Sequence, residues 1–356
     1  MRGEFTMMAR RLSLLVLAIT LCIAVMSDGA EKTGKELPPG TIQLRGAGST
    51  FAAPLQKKWL EAYQKHHPKV VVSYEVIGSG EGTKQFLAGA VDFGASDAAL
   101  SDEEMAAVPS GAQLVPVMAG SIVLAYNLEG LGGPLKLSRA VYVDIFLGKI
   151  TSWDDPRLQQ LNPGLTLPHQ DIIVVVRQDG SGTTFAFTNH LSAISPEWRE
   201  RGPGVGSVVA WPSHPMTARG NEGVAGRIKL SQGAIGYVEY GIAQRGDLAM
   251  AWLENKAGAF IQPHGGSGLA TLLNVPMPEN LRVFAPDPDG EESYPIVTYS
   301  WLLLYKTYDN PQKGAALKDY VRWCLTEGQA FSEALGFVRL PPQVASRAVR
   351  AVDSIR

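Results

Sequence analysis

The sequence predicts an α/β protein of two lobes, each a sheet flanked by helices, joined by two crossover segments. Three observations carry that expectation. Strand-like and helix-like runs alternate from Thr41 onward, which argues for covered, largely parallel sheets. Three small-residue turns of one construction each end a strand-like run and open a helix. Two apolar segments, Val115–Ser121 running into Ile122–Tyr126 and Ser293–Val297, read as crossovers between lobes. On that reading lobe I comprises 41–116 with 294–356, and lobe II comprises 117–293.

Taken in order, residues 1–27 have the pattern of a secretory signal peptide. Arg10 and Arg11 precede the apolar run Leu12–Met26, and the small residues of Ser27–Ala30 supply a cleavage zone near Ser27 or Ala30. That run of about 15 residues falls short of the roughly 20 a membrane span needs. Met7 or Met8 is a candidate start, because Glu4 suits such a leader poorly, and Leu21 before Cys22 is too bulky for a lipidation site. Residues 28–40 are polar and Pro/Gly-rich, and read as a flexible lead-in. The strand candidates that follow are Thr41–Leu44, Val70–Ile77, Asp92–Ala95, Ile122–Tyr126, Ile172–Val176, Ala234–Tyr240 and Ile296–Tyr305. The helix candidates are Pro54–His66, Thr83–Ala88, Ser138–Leu147, Thr184–Ile194, Glu222–Lys229 and Gln312–Leu335. In the first helix Leu55, Trp59, Ala62 and Tyr63 fall at helical spacing and form one apolar stripe.

The turns are Gly46–Phe51, Gly78–Thr83 and Arg177–Thr184. A helix start presents N–H groups without intrahelical partners, and the helix dipole adds partial positive charge there. Glycines let the backbone approach an anion and hydroxyls add donors, so each turn suits a dehydrated oxyanion. Each also reads as an ordinary capped loop. Their recurrence argues for walls of one site, in a crevice between lobes at the carboxyl ends of the strands.

Arg177 offers a permanently charged, two-pronged donor matched to phosphate geometry. Asp179 either orients that guanidinium or shapes the turn before Gly180. Ser181, Gly182 and Thr183 add backbone and hydroxyl donors. Asp97 sits where a crevice site would lie, and an ionised carboxylate only accepts hydrogen bonds. Beside an oxyanion it favours a guest that carries a proton, such as hydrogen phosphate or dihydrogen phosphate, over sulfate. The mismatch costs about 1–3 kcal/mol. The other readings of Asp97 are an N-cap for a helix from Ala98 and a solvated turn acid.

Composition narrows the classes. Cleavage after Ser27 removes Arg2, Arg10, Arg11 and Glu4 and takes the net charge from −2 to −4, with no basic stripe to bind nucleic acid. Cys324 then has no partner for an intrachain disulfide. Histidines 66, 67, 169, 190, 214 and 264 are scattered, with no metal-ligand spacing. For a hydrolase, Gly180-Ser181-Gly182 lacks the outer glycines of a nucleophile elbow. Gly78–Lys84 has Thr83 where a phosphate-cradling P-loop needs glycine.

From about Thr41 to the C-terminus the chain resembles the periplasmic phosphate-binding proteins of phosphate-specific ABC transporters. The resemblance rests on Gly46–Phe51, Val91–Asp97, Leu147–Ile150 with Trp153–Asp155, Asp179–Thr183 and Gly233–Tyr240. It implies the type II periplasmic-binding fold and a periplasmic, monomeric protein that needs no cofactor or metal. It further implies capture of inorganic phosphate and delivery to an inner-membrane ABC permease with its ATPase subunits. Carried over by position, the implied ligands are Thr50, Phe51 through its backbone, Ser79, Asp97, Arg177, Ser181, Gly182 and Thr183, with Asp179 pairing Arg177. Ser49, where the family often has alanine, joins the expected set. Glu81 is expected to face solvent, and Asn221 to cap a helix without touching ligand. The alternatives are another oxyanion (sulfate, molybdate or tungstate) and a hydrolase.

Overall fold

Two long strands, β4 (Ala112–Tyr126) and β12 (Val297–Tyr305), run side by side and antiparallel through the middle of the molecule. The structure, a computed structural model, describes residues 39–356 except Ser213, so the signal-peptide segment and the lead-in up to residue 38 lie outside the described residues. Ile42–Arg356 form one compact unit. Beside β12 lie β1 (Ile42–Gly48), β2 (Val70–Val76) and β3 (Phe93–Ser96), mutually parallel in the order β2-β1-β3-β12. Past β4 come β8 (Ala234–Glu239), β6 (Ile173–Arg177) and β7 (Met216–Ala218), again parallel to one another. A separate three-stranded sheet joins β5 (Lys136–Leu137), β10 (Trp252–Glu254) and β11 (Phe260–Ile261), and the short β9 (Ala249–Met250) pairs with β4.

The expectation of largely parallel sheets holds within each group and fails between them. The pairs of β3 with β12, β12 with β4 and β4 with β8 are antiparallel. The reason is geometric: one crossover carries the chain out and the other brings it back, and two adjacent segments of opposite direction satisfy each other's backbone groups. β4 pairs β12 through Ser121 and takes up β8 from Ile122, so the crossover is one continuous strand rather than a loop. Pro116 has no N–H to give to the ladder, and the register shifts beside it, opposite Ser300 and Trp301.

Of the apolar stripe of the first helix, observed as Ala53–His66, Leu55, Trp59 and Tyr63 are buried and Ala62 is half-buried. Trp59 also donates its indole N–H to Gly328 O at 2.7 Å, so truncating it costs about 3–5 kcal/mol in cavity and contacts. The expected helix Gln312–Leu335 ends early, at Leu325, and continues as two 3₁₀ turns, Glu327–Phe331 and Glu333–Leu335. Gly328 lies so close to Trp59 that a Cβ there would stand 2.9 Å from the indole nitrogen. The buried Gln329 amide donates to Cys324 O and Val117 O, satisfying a carbonyl at the helix end. A C-terminal helix, Pro342–Asp353, buries Val344, Ala348 and Val352.

Candidate functional site

The carboxyl ends of β1, β2 and β3 deliver Ser49 and Thr50, Ser79, and Asp97. The ends of β6 and β7 deliver Arg177 to Thr183, and Gly220 with Asn221. Both sets converge. Gly80 N–H donates to Gly180 O at 2.9 Å, and a Cβ on Gly182 would stand 2.7 Å from Asp97 Cβ, Asp97 N and Ser79 Oγ. Gly78, at φ +93°, faces the Arg177–Asp179 pair, where a Cβ would stand 2.5 Å from Asp179 Oδ2. Only glycine combines that backbone with that approach.

Asp97 is 1% exposed and its two oxygens are used differently. Oδ1 takes hydroxyl protons from Ser49 at 2.6 Å and Ser300 at 2.7 Å. Oδ2 has one looser partner, Ser79 Oγ at 3.3 Å, and is the oxygen left to accept. Burial raises the Asp97 pKa, opposed by those hydroxyls and by the Arg177 charge. Asp97 is not a helix cap, because the next helix, Asp102–Ala106, is capped by Ser101 in a reciprocal capping box with Glu104.

Arg177 is buried. Its Nε donates to Asp179 Oδ1 at 2.8 Å and its Nη2 to Asp179 Oδ2, so the guanidinium is held two-pronged. Burial pushes the Asp179 carboxyl up, but the Arg177 bonds and charge and the Gly220 N–H outweigh it and set it below the ordinary range. The Arg177 N–H donates to Tyr237 OH, which also shares a 2.7 Å bond with Thr184 Oγ1. Ser181 caps the helix Gly182–Ile194 by accepting Thr184 N–H at 3.0 Å.

Of the expected set, Thr50, Ser79, Asp97, Arg177, Ser181, Gly182 and Thr183 stand together, with Asp179 behind Arg177. Phe51 is fully buried, its ring edge-on to Phe337, so only its backbone is free to serve the site. The Ser49 hydroxyl is spent on Asp97 and on accepting Ala52 N–H, which makes it a support for the carboxylate. Glu81 is exposed, on the rim of a cavity of about 890 Å³ that Thr50, Asp179 and Gly220 also border. Asn221, expected to cap a helix, instead lies inside the helix Gly220–Leu230, whose N-cap position is Arg219, and is fully buried against Thr50 and Thr183. Two residues escaped the reading. Ser300 and Tyr237 back Asp97 and Arg177. The signal for Ser300 was present, since Thr298 and Ser300 are polar at period two in an otherwise apolar strand.

This fold and donor-lined crevice are those of a solute-binding protein: residues 33–327 match the PBP superfamily domain. The chain is 40% identical over 309 residues to the phosphate-binding protein PstS of Pasteurella multocida, covering 85% of this chain and 88% of that one. It is 37% identical over 377 residues to the PstS of Methanocaldococcus jannaschii, covering 98% and 96%. The chain belongs to the phosphate-binding protein PstS family. A high-affinity periplasmic phosphate-binding protein solved with phosphate shares the fold, with a TM-score of 0.72 at 22% identity over 87% of this chain and 93% of that one. The phosphate-binding protein of Stenotrophomonas maltophilia does so too, at 0.72 and 22% over 87% and 94%.

Proposed function

We propose that this chain captures inorganic phosphate between its two lobes in the periplasm and hands it to an inner-membrane ABC permease, whose ATPase subunits supply the energy. The observation that carries the reading is the pairing of one buried acceptor, Asp97 Oδ2, with the Arg177 guanidinium and a set of hydroxyl and N–H donors. An unprotonated oxyanion can use the donors and is repelled by the acceptor, whereas a protonated phosphate uses both. We take the lobes as 41–116 with 294–356, and 117–293; the change of partner strand along β4 between Ser121 and Ile122 supports a division near the first crossover. Ligand held from both lobes stabilises the closed arrangement by its differential contacts.

The protein acts as a monomeric binder and not as a catalyst. Ser181 accepts Thr184 N–H, and the buried His190 is engaged elsewhere, with Tyr142 OH and Pro286 O. Among the described residues no helix is long and apolar enough to cross a membrane. Calorimetric titration with phosphate and then sulfate tests the reading, with saturable heat expected from phosphate alone. Sulfate or molybdate binding without phosphate binding would replace it by the other oxyanion reading. Turnover of a chromogenic phosphate ester would revive the hydrolase.

A further inference from the structure

The helix Gly220–Leu230 begins without a cap of its own, since Arg219 makes no side-chain cap hydrogen bond. The Asn221 N–H, one of the partnerless groups of a helix start, donates to Thr50 Oγ1 at 3.1 Å instead. The Asn221 amide does more. Its Nδ2 donates to Thr50 Oγ1 at 3.1 Å and to Thr183 Oγ1 at 3.0 Å, while its Oδ1 accepts the Glu239 N–H at 3.0 Å. A backbone N–H can only donate, so Oδ1 must face Glu239 and the NH₂ must face the two threonines. The side chain is fully buried, which leaves no solvent to compete for these bonds.

A hydroxyl has one proton and two lone pairs. Asn221 occupies both lone pairs of Thr50 Oγ1, so that oxygen has only its proton left to offer. Thr183 Oγ1 accepts from the same amide and is biased the same way. We propose that Asn221 is a positioning residue that sets the polarity of the site, committing the Thr50 and Thr183 hydroxyls to donate to the oxyanion. Both Nδ2 protons are already used, so Asn221 acts through the threonines. Thr50 follows β1, whereas Thr183 and Asn221 follow β6 and β7, so the Thr183 bond forms within one half and Thr50 is committed only when the two halves meet. The proposal rests on the phosphate-capture reading and adds to it a residue that the reading does not use.

The test is calorimetric phosphate titration of the full chain and of Asn221→Ala, Asn221→Asp, Thr50→Val/Thr183→Val, and that double variant combined with Asn221→Ala. Thermal unfolding without phosphate reports whether each variant is folded. Asn221→Ala is expected to weaken phosphate binding by about tenfold to a hundredfold in the wild-type background. In the double-valine background, where no hydroxyl remains to be oriented, the same change should cost less than about threefold. Asn221→Asp keeps the shape and reverses the polarity, so it should bind at least as weakly as Asn221→Ala at neutral pH. Wild-type affinity in Asn221→Asp, or an undiminished loss in the double-valine background, overturns the proposal and leaves phosphate capture standing. Absence of phosphate binding by the wild-type chain would strike the underlying reading instead.

Discussion

Ser300 donates its hydroxyl proton to Asp97 Oδ1 at 2.7 Å from 203 positions further along the chain. The bond favours the ionised carboxylate against burial, which pushes the other way. On the phosphate-capture reading the ionised Asp97 is the acceptor that faces the ligand, a role weakened when the carboxyl gains a proton, and its pKa lies above the ordinary carboxylate value. Phosphate affinity therefore falls as pH drops through that raised pKa. Ser300→Ala removes an opposing group and should move this acid limb to higher pH in a series of titrations. Superimposable profiles would show that Ser300 is only a packing residue.

Asp97→Asn puts an NH₂ group where only an acceptor stood. Sulfate then meets a donor, and the phosphate-over-sulfate affinity ratio should fall by about tenfold to a hundredfold, on the scale of one buried mismatch of ~1–3 kcal/mol. The loss of discrimination should exceed the loss of phosphate affinity itself. An unchanged ratio would remove Asp97 from its assigned role.

Arg177→Ala deletes a buried charge and leaves Asp179, 14% exposed in its side chain, without its two-pronged partner. Phosphate binding should weaken by about a hundredfold or more, and the melting temperature should drop as the lone carboxylate is stranded. Arg177→Lys should recover part of the affinity, because charge returns without the fork. Wild-type affinity in Arg177→Ala would dismantle the site as described.

Gly182→Ala tests closure. Its methyl group would stand 2.7 Å from Asp97 N, a backbone atom that cannot swing aside. The helix Gly182–Ile194 tolerates alanine, so the fold should persist while phosphate affinity falls at least about tenfold. Small-angle scattering with saturating phosphate should find the variant more open than the parent, and equal profiles would refute the wedge.

Glu239 is fully buried and caps the helix Tyr240–Arg245 by accepting Gly241 and Ile242 N–H at 2.7 Å each. Burial pushes its pKa up to about 8, against those two bonds. A raised acid pKa means that the folded state holds a proton the unfolded chain has released. Stability therefore falls as pH rises from the ordinary glutamate range towards 8, by at most about 1.4 kcal/mol per pH unit. Glu239→Gln should flatten the melting-temperature profile over that window. A variant with the parent's slope would assign the pH dependence to other groups.

The turns at Gly46–Phe51, Gly78–Thr83 and Arg177–Thr184 were legible because each works within a few residues. Ser181 caps its own helix, and Asp179 reaches Arg177 from two positions away. The short strands Lys136–Leu137 and Met216–Ala218 were not, since two or three residues carry no periodicity and exist only through their partners. The helix Pro342–Asp353 had a readable signal, a proline start with Val344, Ala348 and Val352 four apart, that the reading passed over.

By itself the sequence determined the alternating α/β plan and the donor-rich turns with Arg177, because these follow from local propensity and spacing, whereas spacing left Asp97 open between a site acid, a helix cap and a turn acid. Tertiary structure alone decided which oxygen of Asp97 stays open, that Ser49 supports the carboxylate, and that Asn221 joins Thr50 to Thr183. Those outcomes depend on hydrogen bonds between residues as far apart as Asp97 and Ser300, 203 positions, and Thr50 and Asn221, 171 positions, which exist only once the sheet is assembled and water is excluded.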